Sequence, residues 1–174
     1  GIGDDDQIEI KWCRLEDLAT KKFYNIPNNP GIYFIRWSRN GKAVPISRLK
    51  GMDDKGILYI GSAKKLRRRT QELWRGINGK VEDHTIGKTI IFCRISEVIN
   101  VHEYEISVEK LETHEKAVGQ EWAAIKSYAD KFKEPPPLNL GIRREFFASW
   151  GIAKWGKSRW AYEPDEFVRS IINS

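Results

Sequence analysis

The chain has 174 residues, 40% of them hydrophobic and 31% charged, a balance that suits one soluble globular domain of 1–174 with a real core. No apolar run approaches a membrane span and no secretory hydrophobic segment is visible, so a membrane partner is excluded as an expectation. The formal net charge is +6, and the two cysteines, Cys13 and Cys93, lie far apart; neither sits in a Cys/His ligand pair, which argues against zinc and fits buried, reduced thiols in a cytoplasmic protein.

Residues 1–7 open with Asp4-Asp5-Asp6 and read as a frayed end. IEIKW, 8–12, alternates apolar and polar residues and predicts an edge strand. Leu15 to Phe23 predicts a short helix that ends before Ile26-Pro27. GIYFIRW, 31–37, lies between Asn28-Asn29-Pro30 and Ser38-Arg39-Asn40-Gly41, and ILYIG, 57–61, follows Asp53-Asp54-Lys55-Gly56. Turn residues at both ends predict two strands of a hairpin-like pair. Their connection, 38–56, is long for a hairpin and carries Gly41, Lys42, Arg48, Lys50 and Gly51. It is either a DNA-touching loop or an elaboration of the sheet.

Ala63 to Gly76 predicts a helix with Leu66, Leu73 and Trp74 inward. Five of the six residues from Lys64 to Arg69 are basic. Arg69 lies three residues after Leu66 and shares its face, whereas Arg67 and Arg68 point elsewhere. The competing reading of Arg69 is a partly buried arginine whose tip reaches solvent. A second basic block, within 141–160, holds Arg143, Arg144, Lys154, Lys157 and Arg159 against one acid, Glu145. Two such blocks fit a polyanion groove through Lys64, Lys65, Arg67, Arg68, Arg143 and Arg144; the competing reading is two solvated faces. The pair Tyr33 and Tyr59, on neighbouring strands beside the first block, is a candidate phosphodiester site.

KTIIFCRISEV, 88–98, predicts a third, central strand. From about Ser107 to Phe132 the residues Leu111, Val118, Trp122, Ile125, Ala129 and Phe132 fall at helical period. Glu121 and Glu115 border that stripe on opposite edges and His114 lies inside it, so periodicity does not choose between the acids. Pro135-Pro136-Pro137 stop the helix and form a stiff arm leading to Asn139. The segment 146–162 interleaves Phe146, Phe147, Trp150, Trp155, Trp160 and Tyr162 with bases, for stacking on nucleobases or, on the competing reading, covering a core. Pro164 to Ile172 predicts a terminal helix.

The GIY and YIG halves, Gly31-Ile32-Tyr33 and Tyr59-Ile60-Gly61, resemble the GIY-YIG nuclease superfamily. The resemblance extends to Arg69, eight residues after Gly61, to Glu121 four residues before Ile125, and to Asn139 after the prolines. It covers a catalytic core of roughly 30–140, leaving an N-terminal extension, 1–29, and an aromatic and basic C-terminal extension, 141–174. It implies an α+β fold with a small, mainly antiparallel three-stranded sheet flanked by helices. It also implies a metal-dependent DNA endonuclease, as a type II restriction enzyme, acting on double-stranded DNA. Glu121 would bind Mg2+ (or Mn2+). Tyr33 would act as general base with Tyr59 as helper, Arg69 would grip the scissile phosphate and Asn139 would orient a group in the site. A single such site per chain leads to the expectation of a homodimer. The alternatives are a catalytically silent nucleic-acid-binding module and a repair, homing or toxin nuclease. The competing readings of the tyrosines and the asparagine are ordinary strand tyrosines and a turn asparagine.

Overall fold

The computed structural model describes residues 10–80, 85–140 and 161–173. Strand β2, Gly31–Arg39, forms the centre. Its residues Ile32 and Phe34 are fully buried on one face and Tyr33 and Ile35 on the other, as in a strand covered on both sides. β6, Ile57–Ala63, pairs antiparallel on one side of it, and β7, Tyr104–Lys110, antiparallel on the other. β1, Cys13–Arg14, extends the far edge beyond β7. The chain is therefore α+β, with an antiparallel sheet and five α-helices among the described residues.

Each face of the sheet carries its own core. Helices α1, Leu15–Thr20, α2, Leu66–Ile77, and α3, Thr85–Phe92, lay Leu15, Leu18, Leu66, Leu73, Ile77, Ile86 and Ile90 against Tyr33, Ile35, Tyr104 and Ile106. On the other face, α4, His114–Phe132, and α5, Glu166–Ile172, bring Ala124, Ile125, Tyr128, Phe132, Phe167 and Ile171 onto Ile32, Phe34 and Ile60. A cross-strand ion pair, Arg36 to Glu105 at 2.8 Å, ties β2 to β7 in register.

The expected helices at 15–23, 63–76 and 164–172 are present with shifted ends. Four expectations are overturned. The segment 88–98 is not the third strand: Thr85–Phe92 is helical and a short 3-10 turn follows at Ile95–Glu97. Ile86 and Ile90, four apart, pack toward α2, while Ile91 and Phe92 stay exposed; a bare apolar run has no period that separates the two structures. The third strand is β7, which lies where a helix was expected to begin. Tyr104 and Ile106 face one core and alternate with Glu105 and Ser107, a period of two. Thr113, whose side chain accepts from the Lys116 N–H, starts the helix, so Leu111 lies outside it. The edge strand falls at Cys13–Arg14, and residues 10–12 of the expected 8–12 are not strand; residues 8 and 9 lie outside the described residues. Cys93, expected buried, is exposed; Cys13 is partly buried, and both are free thiols.

The insert 38–56 forms β3, Lys42–Ala43, beside the end of β2, and a small hairpin of β4, Ile46–Ser47, with β5, Met52–Asp53. Arg48 pairs with Glu134 and donates to the Pro135 carbonyl, and the Lys50 N–H donates to the Phe132 carbonyl. The insert is therefore fastened to the C-terminal end of α4. No helix among the described residues is long and apolar enough to cross a membrane.

Candidate active site

The register of β2 and β6 sets the two tyrosines. Tyr33 pairs with Gly61 and Ile35 with Tyr59, so both phenols project from one face as diagonal neighbours. Their ring centroids lie 6.1 Å apart at 28°. Both motif glycines are required by contact. A Cβ on Gly61 would overlap the Tyr33 ring tip and hydroxyl, and one on Gly31 would overlap the Glu109 carbonyl and the Leu66 side chain. The GIY and YIG pattern thus has a packing cause: one glycine admits the helix and the other seats the tyrosine.

β6 is the open edge of the sheet, and there the two layers meet. Arg69 reaches the tyrosines from α2. Its guanidinium lies 3.3 Å from a Glu72 oxygen, and Arg68 approaches the same carboxylate at 3.5 Å. From the other layer, α4 carries Glu121 to Ser62, whose hydroxyl donates to its carboxylate at 3.1 Å. Asn139 holds the edge itself. Its side chain accepts from the Ile60 N–H at 3.0 Å and donates to the Ile60 carbonyl at 2.9 Å, filling the place of a neighbouring strand. The Leu138 N–H adds a bond to the Leu58 carbonyl, next to an irregularity in the β6 pairing. The proline arm therefore anchors Asn139 on the strand that bears Tyr59.

Burial dominates the electrostatics. It pushes the Tyr33 hydroxyl well above its ordinary 10, Tyr59 and Glu121 adding to the effect and Arg69 opposing it. That hydroxyl is fully enclosed and closes no hydrogen bond of ordinary geometry. Burial, reinforced by Glu121, pushes Tyr59 up to about 12. Burial also pushes Glu121 up to about 7, against the Ser62 hydrogen bond and the Arg69 charge. Arg69 is itself disfavoured by burial, but Tyr33, Glu72 and Tyr59 outweigh that and hold it cationic. Four groups far apart in sequence thus sense one another at one strand edge.

Beside this cluster opens a cleft of about 430 Å³ lined by Ser62, Ala63, Lys64, Lys65, Arg68, Arg69, Glu72 and His114. Arg67 faces away from it: its guanidinium donates to the Ile26 carbonyl at 3.0 Å and lies over the Tyr24 ring. Arg143 and Arg144 lie outside the described residues, as do the aromatic residues from Phe146 to Trp160. Ser62, Glu72 and His114 were not foreseen as site residues. The signal for Ser62 was strand parity, since it lies two residues after Ile60 on the face that α4 covers. Among the described residues no group of three or more His, Cys, Asp or Glu side chains could hold a metal ion; Glu121 offers a lone carboxylate, with the Ser62 hydroxyl at its side. No family model, no curated protein and no solved structure matches the chain.

Proposed function

We propose that the protein is a metal-dependent DNA endonuclease of the GIY-YIG type that hydrolyses phosphodiester bonds. The observation that carries the reading is the meeting of Tyr33, Tyr59, Arg69 and Glu121 at one strand edge, beside a cleft rich in lysine and arginine. These groups supply what the reaction needs: a cation for the phosphate, hydroxyls to hold a water, and a half-buried carboxylate.

The donor set fits Mg2+ (or Mn2+). Glu121 and Ser62 offer only oxygen, and a single carboxylate leaves most of the coordination to water and phosphate. A carboxyl raised to about 7 by burial is also one that a divalent charge would return to its ionised form. When bound, such a cation neutralises phosphate charge and acidifies a coordinated water. Arg69, braced by Glu72, presents a fork suited to two phosphate oxygens. Tyr33 is assigned the water's proton and Tyr59 the orientation of that water. Both phenols are protonated at neutral pH in the cation-free protein, so proton acceptance by Tyr33 requires positive charge beyond that of Arg69. Asn139 acts through Ile60, as a positioning residue for the strand that bears Tyr59.

The substrate on this reading is double-stranded DNA, cut in the manner of a type II restriction enzyme by a pair of chains, one site per strand. The protonated phenols also suit a second reading, a module that binds nucleic acid without cutting it. Incubation with supercoiled plasmid separates the two. Nicking with Mg2+ that chelator stops supports the nuclease; retained binding without nicking in either Mg2+ or Mn2+ supports the silent module.

A further inference from the structure

We propose that the cleft between α2 and the first turn of α4 is a subsite for a second backbone phosphate, gripped by Lys64, Lys65, Arg68 and His114. The inference rests on the nuclease reading and assigns to that site a residue, His114, which the hydrolysis itself does not use.

The cleft wall carries four lysine and arginine side chains against one carboxylate, Glu72. Glu72 is taken up by Arg68 and Arg69, so the wall remains cationic. Lys64 and Lys65 stand exposed at the turn from β6 into α2. Backbone dipoles do not supply the attraction. The Leu66 and Arg67 N–H groups at the start of α2 donate to the Asn29 and Pro27 carbonyls, and Thr113 caps the start of α4. The pull on an anion therefore comes from side chains. His114 lines the same cleft from the other layer, and an imidazole is a side chain that can donate to a phosphate oxygen.

Spacing places this phosphate away from the scissile one. His114 and Glu121 lie seven residues apart on α4, roughly 10 Å at 1.5 Å per residue. Successive phosphates of a strand turn about the axis as well as rising along it, so they lie farther apart than the roughly 3.4 Å rise per nucleotide, and the second phosphate lies one or two nucleotides from the one at Arg69. Gripping two phosphates would fix the direction of the strand through the site, which one phosphate leaves open.

Two measurements test this. In the first, histidine side-chain NMR signals are followed as inorganic pyrophosphate is added to the whole protein, with His114→Gln identifying the signal. The His114 signal should move saturably while that of His102 stays, and Lys64→Ala with Lys65→Ala should weaken the effect about fivefold. An unmoved His114 signal, or equal movement of His102, overturns the subsite. In the second, neutral methylphosphonates replace single phosphates of a duplex. One replacement one or two nucleotides from the cut should weaken wild-type binding about fivefold and His114→Ala by clearly less, since the lysines and Arg68 still face that phosphate. Equal losses in both proteins at every position overturn the assignment. Pyrophosphate binding with no duplex binding would sink the nuclease reading and leave an anion site at His114.

Discussion

Two polar clusters lie along α4, one buried and one half-buried, and they are built in opposite ways. At the C-terminal half, Asp53 is 1% exposed, and its carboxylate accepts from the Tyr128 hydroxyl at 2.8 Å and from the Lys55 and Ile57 N–H groups at 2.9 and 3.0 Å. Both oxygens are filled, and the insert is pinned to the helix and to the start of β6. At the N-terminal half, Glu121 receives the Ser62 hydroxyl and is driven up to about 7, while the neighbouring Tyr33 hydroxyl closes no bond of ordinary geometry. One cluster answers its desolvation within the fold. The other answers it only in part, through Ser62 and the Arg69 charge, so that Glu121 and Tyr33 both stay raised, as at a site that takes a ligand. The lesson concerns tyrosines as much as acids: Tyr128 and Tyr33 are equally buried, and only their partners separate scaffold from candidate chemistry.

The sharpest way to break this comparison is to remove one hydroxyl from each cluster. Tyr33→Phe should lower plasmid cleavage on the order of 1000-fold and change the melting temperature little, because the hydroxyl's contact with Arg69 falls short of ordinary hydrogen-bond geometry. Tyr128→Phe should do the reverse, costing about 1.5 kcal/mol of stability through the unmatched Asp53 while cleavage below the melting point persists. Equal effects of the two on stability and on cleavage would remove the distinction. Gly61→Ala comes next. The added methyl meets the Tyr33 hydroxyl, and a displacement of that order should cost on the order of 100-fold in rate, measured by the same nicking assay at retained DNA binding.

A smaller effect concerns pH. Glu121 is raised from an ordinary 4.5 to about 7, so between those values the folded chain binds more protons than the unfolded one. Its contribution to stability is present below about pH 4.5 and is lost as pH rises through about 7. Glu121→Gln should flatten that limb and raise the melting temperature at pH 8 by on the order of 5 °C without divalent cation, as followed by thermal melts across pH. An unchanged pH profile would mean that the carboxylate is not desolvated.

The smallest effect separates two neighbouring arginines. Arg68→Ala should reduce the salt dependence of DNA binding by about one phosphate contact. Arg67→Ala should leave that slope alone and cost stability instead, since its guanidinium serves the Ile26 carbonyl. Salt titrations of both variants decide.

The central pair of strands and the helix bearing Arg69 were legible because turn residues bound them and their apolar runs are short. The insert was open to two readings. Its fastening to Glu134 and the Phe132 carbonyl puts it roughly 16 Å along α4 from Glu121, which favours elaboration of the fold over contact at the tyrosines. The third strand was misplaced because the IIFC run outweighed the quieter alternation of Tyr104, Ile106 and Val108, and because the Thr113 cap went unread. In the site, spacing to Ile125 singled out Glu121 over Glu115. The two acids do part company in the structure, Glu115 accepting from the Tyr162 hydroxyl at 3.3 Å and Glu121 from Ser62. Ser62, Glu72 and His114 depend on how two layers close around a strand edge, which no local pattern encodes.

The direct test of the account is cleavage of supercoiled plasmid by Glu121→Gln and Glu115→Gln, run beside wild type with Mg2+ and with DNA binding measured on the same samples. Wild type and Glu115→Gln should nick the plasmid, and Glu121→Gln should bind it and leave it intact. Cleavage by Glu121→Gln at the wild-type rate, or its loss only in Glu115→Gln, would contradict the assignment of the Glu121 cluster as the active site.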